Sequence, residues 1–145
     1  MSRRTSIITA LAEKFQTLLN GTTYPSNVYG NAYPKLKFWD EVNDFPCVYM
    51  SPGGEYRQYE PGGFAWGFLT VSIKAYTRGE DAQMQLEQLL EDIENVVDSN
   101  RSVVYDTTHN YETTEILVVS ITTDEGLLQP YAVGEINLQV RYQIM

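Results

Sequence analysis

From Phe64 to Tyr76 the chain alternates. One parity carries Ala65, Gly67, Leu69, Val71, Ile73 and Ala75, and the other Phe64, Trp66, Phe68, Thr70, Ser72, Lys74 and Tyr76. A period of two marks a β-strand. Leu69, Val71 and Ile73 face a core on this reading. The opposite face begins aromatic and turns polar, which suits a strand that leaves its own domain at one end.

Between residues 6 and 20 the apolar side chains Ile7, Ile8, Leu11, Phe15, Leu18 and Leu19 recur at helical spacing, with Glu13, Lys14 and Gln16 opposite. The spacing predicts an amphipathic helix packed on a sheet, capped by Thr5 or Ser6 and ended by Asn20-Gly21. Residues 21–44 lose this regularity: Pro25, Pro34, Gly30 and several asparagines surround the aromatics Tyr24, Tyr29, Tyr33 and Trp39. At most one short strand, near Val28, fits there. A connection this long is functional or packed by its own side chains, and its aromatics need a surface, either the domain or a neighbouring subunit.

Pro46 opens a short apolar strand through Cys47 and Met50, at a position where its missing N–H breaks no ladder bond. Pro52-Gly53-Gly54 is expected to end that run, and Glu55 to Glu60 to form an alternating arm. Pro61-Gly62-Gly63 then turns into Phe64, so the arm and the long strand make a hairpin. Because its polar arm and aromatic end are poor core material, the hairpin is expected to project. A second helix is predicted over about 80–98, striped by Leu86, Leu89, Leu90, Ile93, Val96 and Val97, with Glu87, Glu91, Asp92 and Glu94 off the stripe. A short strand is expected near 102–105. Residues 115–123 are apolar nearly throughout, as in a central strand, and 133–144 alternate between a core face and a wet face. The order predicts an α+β fold, a mostly antiparallel sheet with two main helices packed on one side, plus a projecting β-hairpin.

At 145 residues the chain fits one domain, 1-145, with 21-44 as an aromatic-rich loop insertion. A domain of that size buries roughly two-thirds of its unfolded surface without disulfide staples. Cys47, the single cysteine, reads as a buried structural thiol in a reducing compartment. Ten basic against nineteen acidic side chains give a net charge of -9, which disfavours static nucleic-acid binding while permitting an acidic wall past which nucleic acid slides. No run of about 18 apolar residues suggests a membrane span, and Glu13, Lys14 and Gln16 interrupt any signal-peptide core, so a cytoplasmic protein is expected.

Catalytic signatures are lacking: no phosphate-cradling glycine loop, no H-E-x-x-H and no G-x-S-x-G. His109 stands alone, which argues against zinc, and Asp40, Glu41 and Asp44 lack calcium-loop spacing. Glu55 and Glu60, near Tyr56 and Tyr59, could be posed as a hydrolase pair or a sugar platform. Five residues along a strand, however, set them on opposite faces. Neither a cofactor nor a metal is expected, and no catalytic residue is assigned.

Several short motifs point elsewhere: Asp44-Phe45-Pro46 before an apolar strand, a glycine followed by Glu55-Tyr56, and Trp66 entering the next strand. After them come an acidic amphipathic helix, Asp124-Glu125-Gly126, and a final alternating strand through Tyr142 to Met145. Over residues 44–145, with the first helix also in place, the chain resembles the lambda-like phage tail terminator (minor tail protein U) family. The resemblance implies a structural virion protein without catalytic residues. It would form a hexameric ring on the tail tube, stop tube growth at the length set by the tape-measure protein, and present the surface for head joining. It would sit at the head-proximal end of the tail after assembly in the host cytoplasm. Its partners would be further copies of itself, the tail tube protein, a head completion or connector protein and the tape-measure protein. DNA would pass through without specific binding.

Roles for individual residues follow from physics rather than from the resemblance. Tyr59, Phe64 and Trp66 fit the core poorly and are expected at a subunit or tube interface. Glu55, Glu60, Glu87 and Glu91 are expected to line an acidic lumen or partner face. The alternatives are another head-to-tail connector or neck ring protein, or a small carbohydrate-binding or hydrolytic module.

Overall fold

A computed structural model of the chain describes residues 2–144. They form helix α1 (Arg3–Leu18), strands β1 (Ala32–Tyr33), β2 (Cys47–Glu60) and β3 (Phe64–Arg78), and helix α2 (Ala82–Ser99). Strands β4 (Val104–Asp106), β5 (Tyr111–Glu112), β6 (Glu115–Thr123) and β7 (Tyr131–Gln143) follow. The main sheet has the order β1-β2-β3-β7-β6, and β4 and β5 form a separate small ribbon. All ladders of the main sheet are antiparallel except the two-residue pairing of β1 with β2. This is the α+β arrangement the pattern predicts, with the alternating strand β3 at its centre.

Both helices lie against one face of the sheet. Ile7, Ile8, Leu11 and Phe15 of α1, and Leu86, Leu89, Leu90, Ile93 and Val97 of α2, join Leu69, Val71 and Ile73 of β3 in one buried cluster with Ile136, Leu138 and Val140 of β7. Burying each such side chain stabilises the fold by about 1.5–3 kcal/mol. The two glycines of that face mark close approach. At Gly134 an added Cβ would come within 2.9 Å of Leu90, so α2 sits tight on β7.

Helix α1 begins one turn earlier than its apolar spacing suggests. Ser2, not Thr5 or Ser6, supplies the cap, its Oγ accepting from the Thr5 N–H at 3.1 Å. Gly21 takes the left-handed φ of 81° just after the helix, as expected of that position. In segment 21–44 the strand expected near Val28 is absent. Val28 is buried, but the pairing there is an isolated bridge between Asn20 and Asn27, and the short strand lies at Ala32–Tyr33 instead. The aromatics of this segment pack on the chain's own sheet. Tyr33, Trp39 and Phe45 cover Val42, Cys47, Tyr49 and Tyr76 in a second small core on the face away from the helices.

Two further expectations need correction. Pro52-Gly53-Gly54 does not end β2; the strand runs through it by a β-bulge, three steps from Pro52 to Glu55 matching two from Val71 to Leu69. The guanidinium of Arg4 donates to the Gly53 carbonyl in that bulge. Residues 115–123 form an edge strand, not a central one, since β6 pairs with β7 alone. Its apolar run is left uncovered: Ile116 is buried while Leu117, Val119 and Ile121 are exposed. β7, interior in the strand order, keeps the expected alternation, with every second residue from Ala132 to Tyr142 buried and those between them half-buried.

Candidate functional site

The bulge decides which side chains meet at the hairpin. Before it, Cys47 and Tyr49 face away from the helices; after it, Tyr56, Gln58 and Glu60 do, opposite Phe68, Trp66 and Phe64. On β7 the same face continues with Arg141 beside Phe68 and Gln143 beside Trp66. The result is one patch. Tyr56 stacks on Phe68 at 4.6 Å and an interplanar angle of 6°, and the Arg141 guanidinium lies 4.2 Å over Trp66 and 5.8 Å from Phe68. The Arg141 Nε is buried without a hydrogen-bond partner, its charge resting on the aromatic faces. Phe64 is 52% exposed at the rim. β7 accompanies β3 only from Trp66 onward, so the turn at 61–63 and its flanks stand clear of the third strand.

Phe64 and Trp66 are therefore brought together, and Tyr59 is not. Tyr59 pairs with Ala65 and stands on the opposite face of the hairpin, where it is 65% exposed. Sequence reasoning missed Tyr56, Phe68 and Arg141 as members of the patch. Phe68 shares the parity of Trp66, but Tyr56 and Arg141 join it only through the bulge and the β3–β7 register.

The four acidic positions do not share a surface. Glu55 points to the helix side, its side chain only 6% exposed, accepting the Tyr142 hydroxyl at 2.5 Å and the Arg57 Nε at 3.1 Å. Burial first, and then that carboxylate, push the Tyr142 hydroxyl well above its ordinary range. A carboxylate held this way is a packing element, largely shielded from solvent. Glu60, on the other face, accepts from Gln58 at 2.7 Å. Glu87 and Glu91 are exposed on α2 at the far edge of the sheet. There, with Glu94, they rim a groove of about 680 Å³ between α2 and β6, over Met84, Leu90 and Ile121.

Groups considered for chemistry are dispersed. His109 contacts Asp106 at 3.0 Å and stacks on Tyr111 in an exposed turn, and the hydrogen bond from His109 holds the Asp106 carboxyl below its usual range. Burial pushes the Cys47 thiol up to about 12, so it stays protonated at neutral pH. Asp40 and Glu41 lie exposed in a short 3-10 turn. Among the described residues no three His, Cys, Asp or Glu side chains converge.

A groove, an open edge and an aromatic patch are features of a protein that binds proteins. Comparisons agree in kind. The family described as Bacteriophage Tail Tube Terminator Protein matches residues 1–145. The tail tube terminator protein p142 of Escherichia phage T5 is 37% identical over 153 aligned positions, spanning 99% of this chain and 95% of that protein. A chain in the structure of the virion of a native gene transfer agent particle matches with a TM-score of 0.59 at 10% identity, covering 94% of both chains, a likeness of fold. With the family match running the whole length of the sequence, the chain belongs to the bacteriophage tail tube terminators, structural proteins of the virion tail.

Proposed function

We infer that this protein assembles into a ring of six copies that caps the tail tube, ends its polymerisation and offers the surface to which the filled head is joined. The observation that supports this reading is apolar surface left uncovered at two separate places. One is the β6 edge with Leu117, Val119 and Ile121; the other is the hairpin with Tyr56, Tyr59 and Phe64, beside the half-buried Trp66. A chain with two such surfaces can join copies of itself through one and a different partner through the other. The edge serves the ring. The hairpin, with Phe64 and Trp66 on one face and Tyr59 on the other, meets the tail tube protein. Residues 1–145 act as one unit in this role, with the head completion protein and the tape-measure protein as its other neighbours. A net charge of -9 keeps passing DNA from adhering, with the half-buried Glu60 among the acidic groups of the hairpin.

Negative-stain microscopy of the purified protein, with and without isolated tail tubes, tests the reading. Six-membered rings or capped tube ends are expected. Twelve-membered rings that ignore tubes would make the protein a connector, and neither rings nor caps would remove the proposal. Trp66→Ala should leave free rings intact while lowering tube capping by at least about tenfold, since buried tryptophans dominate such contacts. Unchanged capping would take Trp66 out of the interface.

A further inference from the structure

Segment 34–38, Pro34-Lys35-Leu36-Lys37-Phe38, leaves the short strand β1 at one edge of the sheet and crosses the surface without helix or strand of its own. Its polarity alternates. Leu36 and Phe38 are 55% and 73% exposed, and neither Lys35 nor Lys37 has a carboxylate within salt-bridge reach among the described residues. Lys35 has only the ring of Tyr33, 5.5 Å away. The segment bends at residues 34 and 35, leaving Lys35, Leu36 and Phe38 exposed and Lys37 half-buried. The segment is also held in place. The Lys37 carbonyl accepts the Tyr76 hydroxyl at 2.6 Å and the Phe38 carbonyl accepts the Glu41 N–H at 2.9 Å, so ordering it on binding costs little.

The opposite edge carries the complementary pattern. Glu87, Glu91 and Glu94 line the α2 side of the groove, and none has a basic partner among the described residues. Met84 is 75% exposed there, beside Ile121 and the unpaired edge of β6, on which Val119 is 63% exposed. A basic, apolar segment and an acidic, apolar groove thus sit on one chain, but at opposite ends of the strand order, where they cannot reach each other.

We propose that segment 34–38 of one copy docks in the α2–β6 groove of the next. Lys35 and Lys37 meet Glu87 and Glu91, while Leu36 and Phe38 cover the apolar edge. The occupant is a second copy because both halves of the match, in charge and in polarity, are present in this sequence. A contact of this kind is head-to-tail, and head-to-tail contacts are the kind that close into rings. The inference rests on the ring reading above and names the surface that builds it.

Two charge-reversed variants of the whole chain provide the test: K35E with K37E in the segment, and E87K with E91K in the groove. Sedimentation velocity and microscopy follow assembly of the parent, of each variant alone, and of an equimolar mixture. Each variant alone is expected to associate at least about 100-fold more weakly than the parent, because like charges then face each other. In the mixture, every segment finds a groove of opposite sign, so alternating rings should reappear. Parent-like assembly by either variant overturns the proposal, and so does a mixture that stays dissociated. Should a reversal unfold the chain by circular dichroism, K35A with K37A must still weaken association about tenfold; parent-like rings would overturn it. A parent that forms no ring with or without tubes sinks the ring reading itself, a failure distinct from intact rings that ignore these charges.

Discussion

Gly67→Ala is the substitution for which two ordinary effects have opposite signs, so the sign of the result is informative. Replacing a strand glycine by alanine restricts the unfolded chain and, with nothing in the way, stabilises by about 0.5–1 kcal/mol. At Gly67 something is in the way. The added Cβ would lie 2.8 Å from Tyr142 Cε1, 3.0 Å from Cζ and 3.1 Å from Ile144 Cδ1. Carbon atoms rest at roughly 3.5 Å or more, so the ring must retreat by about 0.7 Å. It is pinned at its far end, where the hydroxyl donates to Glu55 at 2.5 Å, and at its edge by Tyr105 at 6.2 Å. Overpacking of this kind costs about 1–3 kcal/mol, and a hydrogen bond to a charged group contributes about 1.5–3 kcal/mol when intact. The obstruction therefore wins, and Gly67→Ala should destabilise by about 1–3 kcal/mol. Urea unfolding followed by tryptophan fluorescence reads this as a midpoint lowered by about 1 M. Tyr142→Phe in the same background separates the causes: if the ring is pinned through Glu55, the two costs are not additive. A Gly67→Ala protein as stable as the parent, or more so, would refute the reasoning, and with it the reading of Glu55 as a packing element that holds the Tyr142 ring.

Further outcomes follow from buried polar groups and from the surfaces described above. Burial raises the Cys47 thiol from 9.0 to about 12 and the Tyr76 hydroxyl from 10.0 to about 12, so the native chain keeps protons that the unfolded chain releases. Stability should be level from neutral pH to about pH 9 and fall as pH rises from there towards 12; Cys47→Ala should move the onset to about pH 10, and an unmoved onset in urea midpoints would contradict the assignment. Asp92, buried in α2, accepts the Ser26 N–H at 2.9 Å and the Gln88 side chain at 3.0 Å. Asp92→Ala should cost about 1–3 kcal/mol and open segment 21–31 to limited proteolysis ahead of the rest of the chain, and first cuts elsewhere would count against that anchor.

How much of this was legible in the sequence depends on what each pattern measures. Period-two alternation reports burial on one face, and it located β3 and its core residues Leu69, Val71 and Ile73 without error. Helical spacing located α1 and α2, but not where α1 begins, because a cap is a single hydrogen bond and Ser2 forms it as readily as Thr5 would. The hairpin faces were harder. A proline and two glycines read as a break, yet the ladder absorbs them as one extra residue in a bulge, and every side chain from Glu55 to Glu60 changes face as a result. This is why Tyr59, grouped in sequence with Trp66, stands behind it, while Tyr56 and Arg141 stand beside it.

The misplacement of residues 115–123 has a different cause. A nearly continuous apolar run says that side chains on both faces of a strand avoid water; it does not say which chain keeps the water out. Reading the run as central assumed that its own neighbours do so. In the fold they do not, since β6 ends the sheet and leaves Leu117, Val119 and Ile121 exposed. The same holds for Leu36 and Phe38 at the other edge, which the aromatics of segment 21–44 leave uncovered while Tyr33, Trp39 and Phe45 fill the outer core. Surfaces of this kind are aggregation hazards in a monomer and useful in an assembly. Within a chain carrying a net charge of -9, lysines flanking one such surface and glutamates rimming the other make indiscriminate pairing unfavourable and a single head-to-tail register favourable. In the docking proposed above, the apolar run that sequence alone reads as interior would be covered by the next copy.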